Sequence, residues 1–392
     1  VIDSEVAKTD DLLEAPVLFI SGNLQPDFSD EEVRHLREYV NRGGFIFAES
    51  CCGGEEFDKG FKAVIERMFP EPEYKLRQLP PEHPAYSAEE RVDPRYTRLL
   101  FGVDVGCRTS VIYVPENLSC YWELARSGRD RPLPKEVREQ VDAALAVGIN
   151  IMAYATNREV KYKLDIDRDL AAMEEADPFE RARLYIANVR HSGGWEAAPG
   201  ALANLLAVVS REAGIRVGTD ERDVALSERQ LFGYPMVFMH GRNNFQLDAA
   251  ERKQLRTYVE RGGVLFGDAI CGSEEFAKAF RREMAAVFPE RSLEAIPASH
   301  PMFTSQLGGF DLKTVSRRDP QRRGPDGPLK AAVRQVEPEL EGIKVGERYG
   351  VIFSRYDISC ALEKHESIEC PGYTREDAAR LGLNVVLYSL HQ

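Results

Sequence analysis

A chain of 392 residues with 43% hydrophobic and 29% charged residues and a mean hydropathy of −0.37 has room for two globular domains, and no apolar run in it reaches the length of a membrane span. Its net charge of −13 and pI near 5.2 argue against nucleic acid as a partner, because proteins that bind a phosphate backbone carry a basic face. Seven cysteines are an odd number, the adjacent pair Cys51-Cys52 is no metal knuckle and no C-x-x-C occurs, so most are expected to be free thiols, with no metal and no cofactor.

The chain carries a duplication. Residues 16–71 match residues 235–290 at a constant offset of 219, with identity at 22 of 56 positions, and a repeat of this kind marks two copies of one structural unit. Leu36-Arg37, Tyr39-Val40 and Arg42-Gly43-Gly44 recur as Leu255-Arg256, Tyr258-Val259 and Arg261-Gly262-Gly263, and Cys52-Gly53 recurs as Cys271-Gly272. Further on, His83-Pro84 answers His300-Pro301, Ser119-Cys120 answers Ser359-Cys360, and Gly148, Asn150 and Tyr154 answer Gly382, Asn384 and Tyr388.

In chain order, residues 1–160 read as a first copy truncated at its N-terminus, lacking its first strand and helix; an additional upstream domain is expected before it, and the targeting region is not visible, so the compartment stays unknown. Residues 161–182 are the linker, within a charged stretch (157–182) expected to be part helical. Residues 183–392 form the second, complete copy. It opens with a strand over 184–189 and a helix over 201–213 stopped by Gly214, followed by a short strand over 223–226. A buried strand over 236–239, a helix over 248–260 closed by Gly262-Gly263, and a buried strand over 264–267 come next. Ser273 caps a helix over 274–287, ended by Pro289. A strand near 293–296 precedes His300, and Arg317, Arg318, Arg322, Arg323 and Lys330 fall in a Pro/Gly-containing stretch expected to be a solvated loop. A strand over 350–354, a helix over about 375–381 and the segment 384–388 close the copy. Strands alternating with helices predict a doubly wound parallel sheet covered on both faces.

Ligands of such sheets sit beyond the carboxyl ends of the strands. This rule selects His191 and Trp195, His240, Asp268, Cys271 and His300, with Arg348 and Asn384 as further ligand-binding candidates that could equally cap loops. Glycines 43, 44, 262 and 263 read as helix terminators, and Phe57, Phe61 and Phe69 with their counterparts as a buried helix face.

The order of strand, G-x-N or G-R-N, helix ending R-G-G, apolar strand, acidic residue, Cys-Gly, helix ending Phe-Pro-Glu and then His-Pro resembles a bacterial domain-of-unknown-function family, number forty-one fifty-nine. That family is similar to the class I glutamine amidotransferase-like superfamily and to the trehalose-utilisation (ThuA-like) proteins. The resemblance implies an α/β, flavodoxin-like fold in two tandem copies. It also implies a cysteine on a tight strand-to-helix turn, which Ser50-x-Cys52-x-Gly54 and Ala269-x-Cys271-x-Ser273 fit, with His83 or His300 as base. The Glu that follows His-Pro in the amidotransferase pattern is replaced here by Ala85 and Met302, and Glu49 and Asp268 lie three residues before the cysteines, where their charge opposes a thiolate.

Whether the chain is an enzyme stays open. One reading is a non-catalytic module for a small-molecule or carbohydrate-like ligand, with its site in the second copy and the two copies packed as an internal pseudo-dimer. The alternatives are a cysteine-dependent hydrolase or amidotransferase using Cys271 with His300 or His240, and a metal-dependent activity through His191, His240, Asp268 and His300.

Overall fold

The computed structural model describes residues 7–106, 108–127, 133–156, 183–218, 222–322, 329–363 and 367–392. The linker 161–182 lies outside these residues. The chain divides into two compact units, Val1–Asp165 with Pro320–Ala331 and Ser367–Glu369, and Ile166–Asp319 with Ala332–Glu366 and Cys370–Gln392.

The first unit runs through helix α1 (Thr9–Leu13), strand β1 (Val17–Gly22), α2 (Asp30–Asn41), β2 (Phe45–Ser50), α3 (Glu55–Met68), β3 (Arg77–Gln78), β4 (Phe101–Val105), β5 (Arg108–Val114), α4 (Ser119–Ser127) and α5 (Lys135–Thr156). Its sheet has the order β1-β2-β5-β4-β3, with β1, β2 and β5 parallel and β3 and β4 antiparallel. All six residues of β2 are buried, as a strand covered on both faces requires. Ser29 opens α2 with a capping box, its side chain accepting from Glu32 N while Glu32 reaches back to Ser29 N.

The second unit continues with β6 (Ala187–Arg190), α6 (Ala201–Ala213), β7 (Asp223–Ala225), β8 (Met236–Gly241), α7 (Ala249–Glu260), β9 (Val264–Ala269), α8 (Glu274–Val287), β10 (Glu294–Ala295), β11 (Val315–Arg322, its last residues in the first unit), β12 (Leu329–Val336, its first residues in the first unit), β13 (Glu341–Val345), β14 (Arg348–Ser354), α9 (Ser359–Leu362), β15 (Gly372–Tyr373) and α10 (Arg375–Leu390). Its main sheet has the order β10-β13-β14-β9-β8-β6-β7. β7, β6, β8, β9 and β14 are parallel, and β13 and β10 add an antiparallel edge. Every residue of β8 and β9 is buried. Their side chains join Leu255, Phe276, Phe280, Met284 and Phe353 in one core.

The repeated Tyr-Val-x-Arg-Gly-Gly ending has a steric cause. Gly43 and Gly262 leave their helices with φ of 89° and 110°, which a side chain rarely adopts. The next glycines, Gly44 and Gly263, lie against the rings of Tyr39 and Tyr258, which a Cβ would meet at 2.3 Å. Each tyrosine hydroxyl donates to backbone carbonyls on either side of this turn, at Ala15 and Phe45 in one copy and at Tyr234 and Val264 in the other.

The copies differ where β1 and β8 differ. β8 lies between β6 and β9, whereas β1 is an edge strand. Phe238 on β8 is buried completely, but its counterpart Phe19 is 47% exposed. Gly382 in α10 is covered by Leu205 of α6, while its counterpart Gly148 faces Trp122. Phe19, Phe47, Trp122, Gly148, Ile149 and Met152 line an apolar cavity of about 810 Å³ in the first unit.

Three expectations need correction. The segment from 315 to 336 is not a loop: β12, β11 and β15 form a separate sheet. Arg317 stacks on Tyr356 and pairs with Asp319, and Arg318 is 5% exposed with Asp357 at 4.0 Å. Arg323 lies outside the described residues. The closing helix does not stop at 381, since α10 runs unbroken to Leu390 and buries Asn384 and Tyr388 on one side; sequence spacing alone did not separate a buried helix turn from a strand. Finally, β10 is only two residues long.

Candidate functional site

β9 leads directly into a turn in which Cys271 has φ 54°, ψ 26°, and the same turn after β2 holds Cys52 at φ 57°, ψ 21°. Among the described residues these are the only non-glycine residues with positive φ. A left-handed conformation costs an L-residue roughly 1–2 kcal/mol, so keeping it at both cysteines marks a feature the fold sustains. Following each cysteine is a glycine with positive φ, and then the N-terminus of α3 or α8.

A buried carboxylate anchors the turn from below in both copies. In the second, Asp268 is completely buried and accepts from Ile358 N, Ser359 N and the Ser359 hydroxyl, the last at 2.6 Å. In the first, Glu49 accepts from Ser21, Leu118 N and Ser119 N at 2.7–2.9 Å. Asp357 adds a further lock by accepting from Cys271 N, Cys360 N and Ala361 N. Burial, and then the neighbouring Asp357 charge, push the Asp268 carboxyl well above its ordinary range; burial likewise raises Asp357, against the pull of Arg318.

His240 stands opposite Asp268 in the β8–β9 register. Its Nδ1 lies 2.9 Å from the Ser359 hydroxyl. That hydroxyl also lies 2.6 Å from Asp268 Oδ2, so imidazole, hydroxyl and carboxyl form one buried polar chain. Nε2 is buried without a hydrogen bond of good geometry, beside the Trp195 backbone. Burial pushes the His240 pKa down to about 3 and that of His191 to about 4. His191 Nε2 lies 2.9 Å from the His240 carbonyl, and its Nδ1 accepts from Gly193 N. The loop it begins is closed by Arg242 N and Asn243 N donating to Gly193 O. His191, Trp195, His240, Asp268 and Cys271 therefore share one rim.

His300, Arg348 and Asn384 are elsewhere. The His300 ring packs 5.1 Å from Tyr349 and 5.4 Å from Tyr388, and its Nδ1 accepts from Met302 N. Tyr349 precedes Ser354, the residue paired with Asp268, by five strand positions, about 16 Å at roughly 3.3 Å per residue. The Cys271–His300 pair expected from the sequence is thus split between opposite ends of the sheet. Arg348 donates to the Val259 and Gly263 carbonyls. Asn384 clamps Met302 O, Phe310 O and Phe310 N. Asn150 does the same at Tyr86, Glu89 and Glu90.

The cysteines were the largest omission. Cys271 forms a disulfide with Cys370, against the expectation of free thiols, and Cys360 Sγ lies 3.4 Å from Cys271 Sγ. Cys51, Cys52 and Cys120 are free thiols. Cys107 lies outside the described residues. Beside the Cys271 turn is a polar cleft of about 370 Å³ lined by Gly272, Glu274, Lys278, Arg281, Arg355 and Tyr356. Nothing in the sequence signalled Cys370, which has no counterpart in the first copy, but the recurrence of Ser119-Cys120 as Ser359-Cys360 did point to Ser359 and Cys360.

A family model for a domain of unknown function, DUF4159, matches residues 4–156 and again residues 185–390. The chain belongs to the DUF4159 family. The double match is that of tandem copies, and no curated protein matches the chain. No helix among the described residues of this DUF4159 protein is long and apolar enough to cross a membrane.

Glu363, just beyond α9, gives the DUF4159 rim a measurable pH signature. It is buried, accepts from Gly200 N, and burial raises its pKa to about 8. A carboxyl raised in the folded state stabilises fully below its unfolded pKa of about 4.3 and loses that contribution as pH rises through the folded value. Wild type should therefore lose stability relative to Glu363→Gln between pH 5 and 8, by up to about 1.4 kcal/mol per pH unit. Parallel urea-stability curves for the two proteins across this range would contradict the assignment.

Proposed function

We propose that this DUF4159 protein is a non-catalytic module that binds a small polar ligand at the carboxyl strand ends of its second copy. The observation that carries this reading is the 370 Å³ polar cleft beside the Cys271 turn, lined by Glu274, Lys278, Arg281, Arg355 and Tyr356. Preformed polar groups converging on a concavity are the usual anatomy of a ligand site. The parallel strand order β7-β6-β8-β9-β14 supports a flavodoxin-like fold, in which this end of the sheet carries the ligand. The left-handed cysteine turn supports kinship with the glutamine amidotransferase-like and ThuA-like proteins.

Cysteine-dependent catalysis is the weaker reading. Cys271 is paired with Cys370, His300 is at the other end of the strands, and His240 Nδ1 is directed to Ser359. A nucleophile needs a base within hydrogen-bond reach.

A thermal-shift screen of monosaccharides, disaccharides and sugar acids tests the proposal. Expected is a stabilising ligand whose affinity falls at least about tenfold, or about 1.4 kcal/mol, in Arg355→Ala and is unchanged in Phe19→Ala. A ligand insensitive to Arg355→Ala, or no ligand in the whole set, would count against it.

A further inference from the structure

Three sulfurs meet at the Cys52 turn of the first copy. Cys51 Sγ and Cys52 Sγ are 3.6 Å apart, Cys51 Sγ and Cys120 Sγ 3.9 Å, and Cys52 Sγ and Cys120 Sγ 3.3 Å. A tetrahedral ion with metal–sulfur bonds of about 2.3 Å holds its thiolates about 3.8 Å from one another. The triangle is thus close to one face of such a coordination sphere, assembled from two segments 68 residues apart.

The second copy supplies an independent observation. Cys271 and Cys360 occupy the positions of Cys52 and Cys120 and lie 3.4 Å apart, and a third sulfur again joins them, from Cys370. That third cysteine is the residue before Cys52 in one copy and lies ten positions after Cys360 in the other. Descent from a common ancestor does not place it in both, and neither does packing, which any small residue would satisfy. In the second copy the sulfurs are held by disulfide bonding, whereas in the first copy Cys51, Cys52 and Cys120 are free thiols.

We propose that Cys51, Cys52 and Cys120 form a three-thiolate site for a thiophilic, tetrahedral metal ion, zinc being the divalent ion whose chemistry fits. Carboxylate-preferring ions such as magnesium and calcium are excluded by the donor set. Binding exchanges three S–H bonds for three metal–sulfur bonds, the three protons passing to solvent with no change of oxidation state. Groups around the sulfurs hold them in place: the Ser119 hydroxyl donates to Cys51 Sγ at 3.7 Å, and Asn117 Oδ1 accepts from Cys120 N at 3.2 Å. Glu49 is committed to Ser21, Leu118 N and Ser119 N and is not a ligand. The exposure of Cys52 leaves the fourth vertex to water or a small exogenous ligand. This site is separate from the second copy's cleft and stands or falls without it.

The test is anaerobic titration of the full reduced chain with cobalt(II), whose tetrahedral thiolate complexes absorb strongly in the visible, followed by displacement with zinc. Wild type should develop the thiolate band, and Cys120→Ser should bind one equivalent fewer under the same conditions, whereas Cys370→Ser should keep that equivalent. Cys51→Ser, a change at a half-buried position, should reproduce the loss with an unchanged circular dichroism spectrum, which separates lost ligation from lost folding. Absence of the band in wild type, or equal stoichiometry in wild type, Cys120→Ser and Cys51→Ser, would overturn the proposal.

Discussion

Replacing Asp268 by alanine is expected to cost about 3–5 kcal/mol of folding stability, and Glu49→Ala to cost a comparable amount, as urea unfolding should reveal. Asp268 is fully buried, and its removal strands three donors, Ile358 N, Ser359 N and the Ser359 hydroxyl, without an acceptor. Glu49 satisfies Leu118 N, Ser119 N and Ser21 in the same way. The Asp268 loss should be partly relieved by Asn, which keeps one acceptor but turns two donors toward donors. A loss under about 1 kcal/mol in either alanine variant would mean that the buried carboxylates do not anchor the cysteine turns.

Asn384→Asp and Asn150→Asp should be as damaging, again about 3–5 kcal/mol each. The Asn384 amide nitrogen donates to Met302 O and Phe310 O, and its oxygen accepts from Phe310 N. An aspartate puts an acceptor against two carbonyls in a site where the residue is 2% exposed. Asn150 faces Tyr86 O and Glu90 O identically. The alanine variants, which lose the bonds without adding repulsion, should cost less. Unchanged melting temperatures for both aspartate variants would return Asn384 to the list of ligand-binding candidates.

Much of the fold was legible because duplication doubles the signal. Gly43-Gly44 and Gly262-Gly263 mark helix ends in the sequence itself, and their tyrosine neighbours show why the pattern is kept. The capping residue Ser273 likewise announced α8. The antiparallel additions were not legible. β13 and β14 join through a tight connection and a register shift between Ile343 and Lys344, and β11 and β12 carry charges along their length, so neither pair has the clean alternation by which strands are read.

The candidate site divides in the same way. His191, Trp195, His240, Asp268 and Cys271 could be named from the sequence because each directly follows or ends a buried strand, and in a parallel sheet all such ends face one side. His300 and Arg348 lie at the other end of the sheet: Arg348 is the first residue of β14, which runs parallel to β9, and the loop after β10 carries His300 back to Tyr349 and Tyr388. Only the tertiary structure could decide the path of that loop, because it is set by packing on Tyr349 and Tyr388, residues distant in sequence.

By itself, then, the sequence determined the repeat, the α/β alternation and the glycine-marked helix ends, set by periodicity and local sterics. Tertiary structure alone decided which sulfurs meet. Cys51, Cys52 and Cys120 converge, as do Cys271, Cys360 and Cys370, because parallel strands deliver residues about 70 to 100 positions apart to one rim, a proximity that no spacing along the chain encodes.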